Sequence, residues 1–223
     1  MNGKKNLNRL EKSIRGNSMN EKEKMLLGKI YDPNDEELLE LRKKAHKLNR
    51  LYNNTDEEEV EKRAKILDEL LPNKKEGVYL QGPVYFDYGV FTSFGKNSYA
   101  NFNLTILDVC PVTIGDNVFM GPNVSILTPK HPLRYQDRNL YKSEKGYYTD
   151  KEYGAPITIK DNVWIAGNVT ILAGVTIGEG CVIGGRSVVT KDIPDNYLAY
   201  RNPCKPIRNI TDEDKIELKK ELW

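Results

Sequence analysis

A mainly β architecture, a parallel β-helix with a helical segment ahead of it, is what this chain of 223 residues predicts. Three features of the sequence lead there. Aliphatic side chains recur every six residues through its second half; that period breaks off at about residue 128 and is picked up again at Ile159; and residues 32–71 follow a helical period instead.

Residues 1–20 are polar and weakly patterned and read as a flexible arm, in which Met19 is a candidate natural start. The arm has basic residues but no apolar run of signal-peptide length, and no later stretch approaches the roughly 20 apolar residues of a membrane span, so the protein is expected to be cytoplasmic. Lys and Arg total 34 against 32 Asp and Glu, a balance that gives no electrostatic reason to expect nucleic acid or an anionic membrane as partner. Cys110, Cys181 and Cys204 are odd in number, far apart and lack a C-x-x-C pair. That argues against a disulfide framework or a thiolate metal site and for small buried thiols.

A helical segment is expected over 21–75. Asp32 is placed to cap a helix with Pro33 at its first position, and Leu38, Leu41, Ala45, Leu48 and Tyr52 follow at steps of three and four. Thr55 with Glu58 reads as a capping box for a second helix, whose apolar face is Val60, Ala64, Leu67 and Leu71 before Pro72 ends it. His46 falls among Lys43, Lys44 and Lys47 and reads as a solvated surface histidine.

From 76 to 210 the period is six. In I-T-I-K-D-N, V-W-I-A-G-N, V-T-I-L-A-G, V-T-I-G-E-G, C-V-I-G-G-R and S-V-V-T-K-D the third residue is Ile159, Ile165, Ile171, Ile177, Ile183 and Val189. Ile114, Met120 and Ile126 keep the same step, and Phe94, Ala100 and Ile106 a looser one, displaced by an insertion at Cys110-Pro111. Each unit is a short β-branched strand followed by a turn-forming Gly, Asn or Asp. Strands this short are stable only when stacked on neighbours, and one inward aliphatic per six residues suits a triangular coil of three strands. About three coils are marked this way. The gap at 128–156 carries Tyr135, Tyr141, Tyr147, Tyr148 and Tyr153 and reads as an excursion that covers a site. Within it His131, one of only two histidines, is stiffened by Pro129 and Pro132. Residues 211–223, beginning T-D-E-D-K-I-E-L, read as a short capped helix over the last coil.

P-V-Y-F-D-Y-G at 83–89, Y-A-N-F-N at 99–103, L-D-V-C-P-V-T-I-G-D-N at 107–117, His131-Pro132, E-Y-G-A-P-I-T-I at 152–159 and V-V-T-K-D-I-P at 188–194 occur in the order found in hexapeptide-repeat acyltransferases. The chain resembles the maltose and galactoside O-acetyltransferases among them, the maltose-type branch more than the other. The resemblance implies a left-handed β-helix, a homotrimer with sites between subunits, and acetyl transfer from acetyl-CoA to a maltose- or glucose-like sugar hydroxyl, without a metal. Neutral imidazole suits removal of a hydroxyl proton near pH 7. His131 is thereby implied as general base, oriented by Glu152 or a backbone carbonyl, and Asn101 as the amide that donates to charge developing on oxygen.

For the acceptor the resemblance points to Asp32, Arg42, Asp87 and Asp108, carboxylates being suited to sugar hydroxyls. For coenzyme A it points to Asn101, Gly167, Gly185, Thr190, Lys191, Lys205 and Arg208, with cations for the phosphates. Trp164 either packs beside the pantetheine arm or is structural. Arg186 and Arg201 stand where the family more usually has small residues, and would strengthen phosphate binding or crowd it. Two other readings compete: an acyltransferase for a non-sugar or oligosaccharide hydroxyl, and a β-helix serving as a scaffold or zinc enzyme. His46 and His131 alone cannot supply a three-histidine zinc site within one chain.

Overall fold

The computed structural model describes residues 19–222. Most of the expected flexible arm, residues 1–18, lies outside the described residues. Asn20, assigned to that arm, instead caps helix α1 (Glu21–Leu26) in a reciprocal capping box with Glu23.

Helix α2 (Glu36–Asn53) buries Leu38, Ala45, Leu48 and Tyr52 as its period requires. Its cap is Asp35, which accepts the Glu37 N–H, and not Asp32. Helix α3 (Val60–Leu70) departs further from expectation. Thr55 does not cap it, since its hydroxyl donates to Tyr52 O, and the buried face is Arg63, Leu67 and Leu70, with Val60 and Ala64 exposed. The cause is the rim of the coil. Carbonyls of Leu80 and Gln81 at that rim need donors, and the Arg63 guanidinium supplies them at 2.9 and 3.2 Å while stacking 4.5 Å from the Tyr52 ring centroid. A buried charge so satisfied outweighs the apolar pattern of the helix.

Coiling begins at Asn73–Lys74, three residues before the expected boundary, and gives three stacks of five, seven and five strands, parallel throughout except for the last strand of the second. The inward apolar side chains form columns: Phe94, Ile114, Ile159 and Ile177 on the first face, Leu80, Ala100, Met120, Ile165 and Ile183 on the second, and Phe86, Ile106, Ile126, Ile171 and Val189 on the third. All are buried. The three cysteines are buried free thiols, and Cys181 stands in register with the core residue Val163.

Turn positions need left-handed backbone. Asn103, Asn123 and Asn168 adopt φ of 62, 60 and 60°, and their amides bond one to the next up the corner between the second and third faces. Arg186 takes the fourth place in this ladder at φ 60°. It replaces an asparagine rung.

The last coil is closed by the strand Lys205–Asn209, antiparallel to Tyr197–Tyr200. The expected C-terminal helix is instead three 3-10 turns, Asp212–Asp214, Ile216–Leu218 and Lys220–Leu222, none with a buried residue. Thr211 does cap the first of them. With no apolar face to bury, an α-helix has little to hold it there. Among the described residues no helix is long and apolar enough to cross a membrane.

Candidate active site

The excursion leaves the coil after Thr128 and is pinched at its base, where Pro129–Lys130 pairs antiparallel with Tyr153–Gly154. Beyond the pinch lie a single helical turn, Tyr135–Arg138, and a hairpin pairing Tyr141–Lys142 with Tyr148–Thr149. His131 is the first residue past the pinch. Rigid strands thus deliver it to a fixed point while its ring remains half exposed.

On the returning limb, Asp150 places Oδ2 at 3.3 Å from His131 Nδ1. The expected orienting residue, Glu152, is committed elsewhere: its Oε1 accepts the Tyr31 hydroxyl at 2.9 Å. The reason is the extended limb, in which residues two apart face the same way. Asp150 and Glu152 therefore both look toward the imidazole, and the nearer one takes it. That spacing was present in the sequence as D-K-E, but only the resemblance drew attention to the Glu. The ligating atoms of His131, Asp150 and Glu152 lie within 4.8 Å of one another, a set able to hold a divalent cation as well as a proton.

Glu152 opens a polar wall toward the helices. Burial pushes its carboxyl up, against the Tyr31 hydrogen bond and the His131 imidazole, which pull it down. Tyr31 is itself pushed far up by burial and then by Glu152, which fixes it as a donor. Burial raises both Asp87 and Tyr88, the latter to about 12, and nearby cations oppose it, His46 and then Arg42 at Asp87 and Arg42 at Tyr88. His46 is exposed on α2, as expected, and its Nε2 faces Asp87 Oδ1 at 3.6 Å.

Two expected acceptor residues have other work. Asp108 is fully buried; its Oδ1 accepts the Tyr88 N–H at 2.9 Å and its Oδ2 the Thr92 hydroxyl at 2.9 Å. It joins two coils and cannot reach a ligand, and burial pushes its carboxyl up to about 6. Asp32 accepts from the Thr149 hydroxyl, the Tyr147 hydroxyl and the Asn34 N–H. Partial burial raises it, but these donors together bring it below the usual carboxylate range. Its role here is to tie the excursion to the start of α2.

Asn101 turns its Oδ1 onto the next N–H, that of Phe102, at 2.7 Å, and its Nδ2 has no acceptor among the described residues. It lies at the corner between the second and third faces. His131 projects from the other end of the third face, beyond Ser125–Leu127. One chain does not bring them together: the four-residue strand Leu104–Leu107 on that face spans roughly 13 Å at about 3.3 Å per residue.

The coenzyme A candidates divide the same way. Gly167 and Gly185 share the Asn101 corner, where a Cβ on Gly185 would come 3.2 Å from Gly167 O, so coil stacking alone accounts for their size. Thr190 and Lys191 are exposed at the opposite corner, following Val189. Lys205 is exposed on the closing strand, whereas Arg208 is held by both oxygens of Asp214 at 2.6 and 2.7 Å. Trp164 is 54% exposed and sits in register with Phe119, which follows Tyr99 and Tyr79 down the second face.

Residues 24–75 match the maltose acetyltransferase hexapeptide capping motif, 156–191 the bacterial transferase hexapeptide and 111–128 the hexapeptide repeat of succinyl-transferase. Galactoside O-acetyltransferase of Escherichia coli is 42% identical over 86% of this chain and 91% of its own length. A maltose O-acetyltransferase structure from Clostridium difficile 630 is 47% identical and superposes with a TM-score of 0.80, covering 88% of this chain and 100% of that one. A galactoside acetyltransferase in complex with coenzyme A is 42% identical at the same TM-score, 0.80, covering 88% and 94% of the two chains.

Proposed function

The chain belongs to the hexapeptide-repeat acetyltransferases, in the group of the maltose and galactoside O-acetyltransferases, and on that premise we propose that it acetylates a maltose- or glucose-like hydroxyl with His131 as general base. It is an acetyltransferase that draws on acetyl-CoA. The observation that carries the finer reading is the His131–Asp150 pair at the pinched base of the excursion.

With Nδ1 turned to the Asp150 carboxylate, His131 has Nε2 left for the substrate. Nε2 takes the proton of the attacking hydroxyl, and Asp150 offsets the charge that the imidazolium gains. The same proton is then given to the departing thiolate, which returns the imidazole to its starting form. Tyr31 keeps Glu152 in place, and Glu152, Arg42 and Asp87 offer a donor and two acceptors to a sugar ring beside that nitrogen. Asn101 presents a free amide N–H₂, suited to oxygen as charge builds on it.

Asn101 and His131 serve one site only if each comes from a different subunit. A homotrimer meets that need, and the exposed ladder of Tyr79, Phe119 and Trp164 on the second face supports it as an apolar surface to be covered. Lys191 and Lys205 then supply cations to the coenzyme A phosphates. The test is thioester loss from acetyl-CoA with glucose, maltose, galactosides and a blank, followed by mass spectrometry of the product. Turnover with the blank alone, or only with a non-sugar hydroxyl, overturns the acceptor assignment.

A further inference from the structure

A groove of about 280 Å³ borders Asp87 and is lined, among others, by His46, Arg50, Asn53, Tyr85 and Leu107. Its floor is an unusual joint. The strand Val84–Phe86 is the edge of its stack, and α2 covers that edge with side-chain amides. Asn53 donates to Val84 O and accepts the Val84 N–H, at 2.9 and 2.8 Å, and Asn49 donates to Phe86 O at 2.8 Å. Three backbone groups of the floor are therefore taken up, and most of what is left to meet a ligand lies in the walls.

Those walls are rich in unused capacity. Tyr85 is 48% exposed, its ring pointing away from the core because its neighbours Val84 and Phe86 point inward. The Arg50 guanidinium, one turn of α2 beyond His46, is held by no acidic partner among the described residues. Asp87, with His46 at 3.6 Å, has a carboxylate loosely engaged and shared between this groove and the polar wall that leads to Glu152 and His131. An aromatic face with donors on one side and a carboxylate on the other is the chemistry that meets a pyranose: the ring's C–H face lies on the aromatic ring and its hydroxyls divide between donors and acceptor.

We propose that this groove is a second acceptor subsite, which takes the neighbouring ring of a disaccharide while the ring being acetylated lies between Asp87 and His131. The proposal rests on the sugar-acceptor reading above and adds to it which acceptors are preferred. The groove's volume, just under the roughly 300–1,000 Å³ of sites for drug-sized ligands, suits one further ring. His46 is here a specificity residue: it sits over the boundary between the two subsites and fixes how Asp87 is shared.

The experiment compares kcat/KM for maltose and for glucose in the wild type, Tyr85→Ala and Arg50→Ala. Both side chains are exposed, and neither holds a core or hydrogen-bonded position that folding requires. The expected result is a fall of about tenfold in the maltose-to-glucose ratio in each variant, carried mainly by KM for maltose, as loss of one ground-state contact predicts. An unchanged ratio, or equal losses on both sugars, overturns the subsite and leaves the sugar reading intact. A wild type that acetylates neither sugar overturns both. Maltotriose separates one further ring from an open cleft: a gain over maltose as large as that of maltose over glucose contradicts the single-ring limit.

Discussion

His131 Nδ1 stands 3.3 Å from Asp150 Oδ2, across the two limbs of an excursion whose base is held by antiparallel pairing. The break in the hexapeptide period thus carries an imidazole out of the coil with a carboxylate beside its Nδ1. His131→Ala is expected to lower kcat by about 100- to 10,000-fold while acetyl-CoA affinity stays close to that of the wild type. Asp150→Asn is expected to cost less, about ten- to hundredfold, the worth of one hydrogen bond to a charged group. The sharper readout is which parameter falls: the loss in Asp150→Asn should be carried by kcat, with KM for the sugar close to that of the wild type. A kcat equal to that of the wild type leaves Asp150 as a structural contact only.

Asp108 gives a stability prediction with a definite sign. Its carboxyl is held at about 6 in the folded chain by burial, above the roughly 3.9 of an unfolded one. Between those two values the folded chain binds the proton and the unfolded chain does not, so this group's contribution falls as pH rises through that window. It is fully present below about pH 4 and lost above about pH 6, a difference of roughly 3 kcal/mol. Asp108→Asn removes the ionisation and keeps an oxygen for the Tyr88 N–H. Stability of the wild type minus that of the variant, by urea denaturation from pH 4 to 8, should therefore decline with pH. A flat difference contradicts it.

The columns of the coil were legible because an inward aliphatic every six residues has no other use. The same holds for α2, whose face is apolar at helical steps. What the sequence hid were places where one polar group meets a distant one. Arg63 turns α3 because carbonyls at a coil rim need donors. Asp108 and Asp32 look like ligand carboxylates in a list of residues, yet each meets neighbours many residues away that consume its oxygens. His46 gained a partner, Asp87, that no local pattern indicates. Asp150 was recoverable in principle from its spacing to Glu152, but only once the limb was known to be extended.

Coenzyme A recognition should separate Lys205 from Arg208. The Arg208 guanidinium is paired on two nitrogens with Asp214, which raises it and holds Asp214 well below the usual carboxylate range. A phosphate must compete with that carboxylate. Lys205 has no such partner among the described residues. Lys205→Ala is therefore expected to weaken coenzyme A binding about tenfold or more, by calorimetry, and Arg208→Ala to weaken it less. Asp214→Asn should tighten binding by freeing Arg208, and it should do so less at high salt. The reverse order for the two cations would mean that the Asp214 pair opens when the cofactor arrives.

Asn101 and His131 stand beyond opposite ends of the third face, whose strand Leu104–Leu107 alone spans roughly 13 Å, yet both are proposed for one reaction. Each site then takes His131 from one subunit and Asn101 from its neighbour. Two inactive variants should rescue each other. In trimers refolded from equal amounts of His131→Ala and Asn101→Ala chains, a site works when its histidine comes from the Asn101→Ala chain and its amide from the His131→Ala chain. Each condition is met half the time, so about a quarter of the wild-type sites should be restored. Each variant refolded alone gives the baseline, and light scattering verifies that mixed and unmixed samples have the same mass. If both residues acted from one chain, every site in the mixture would lack one of them, and activity would stay at that baseline. An active species with the mass of a single chain would likewise remove the reason for assigning the two residues to different subunits.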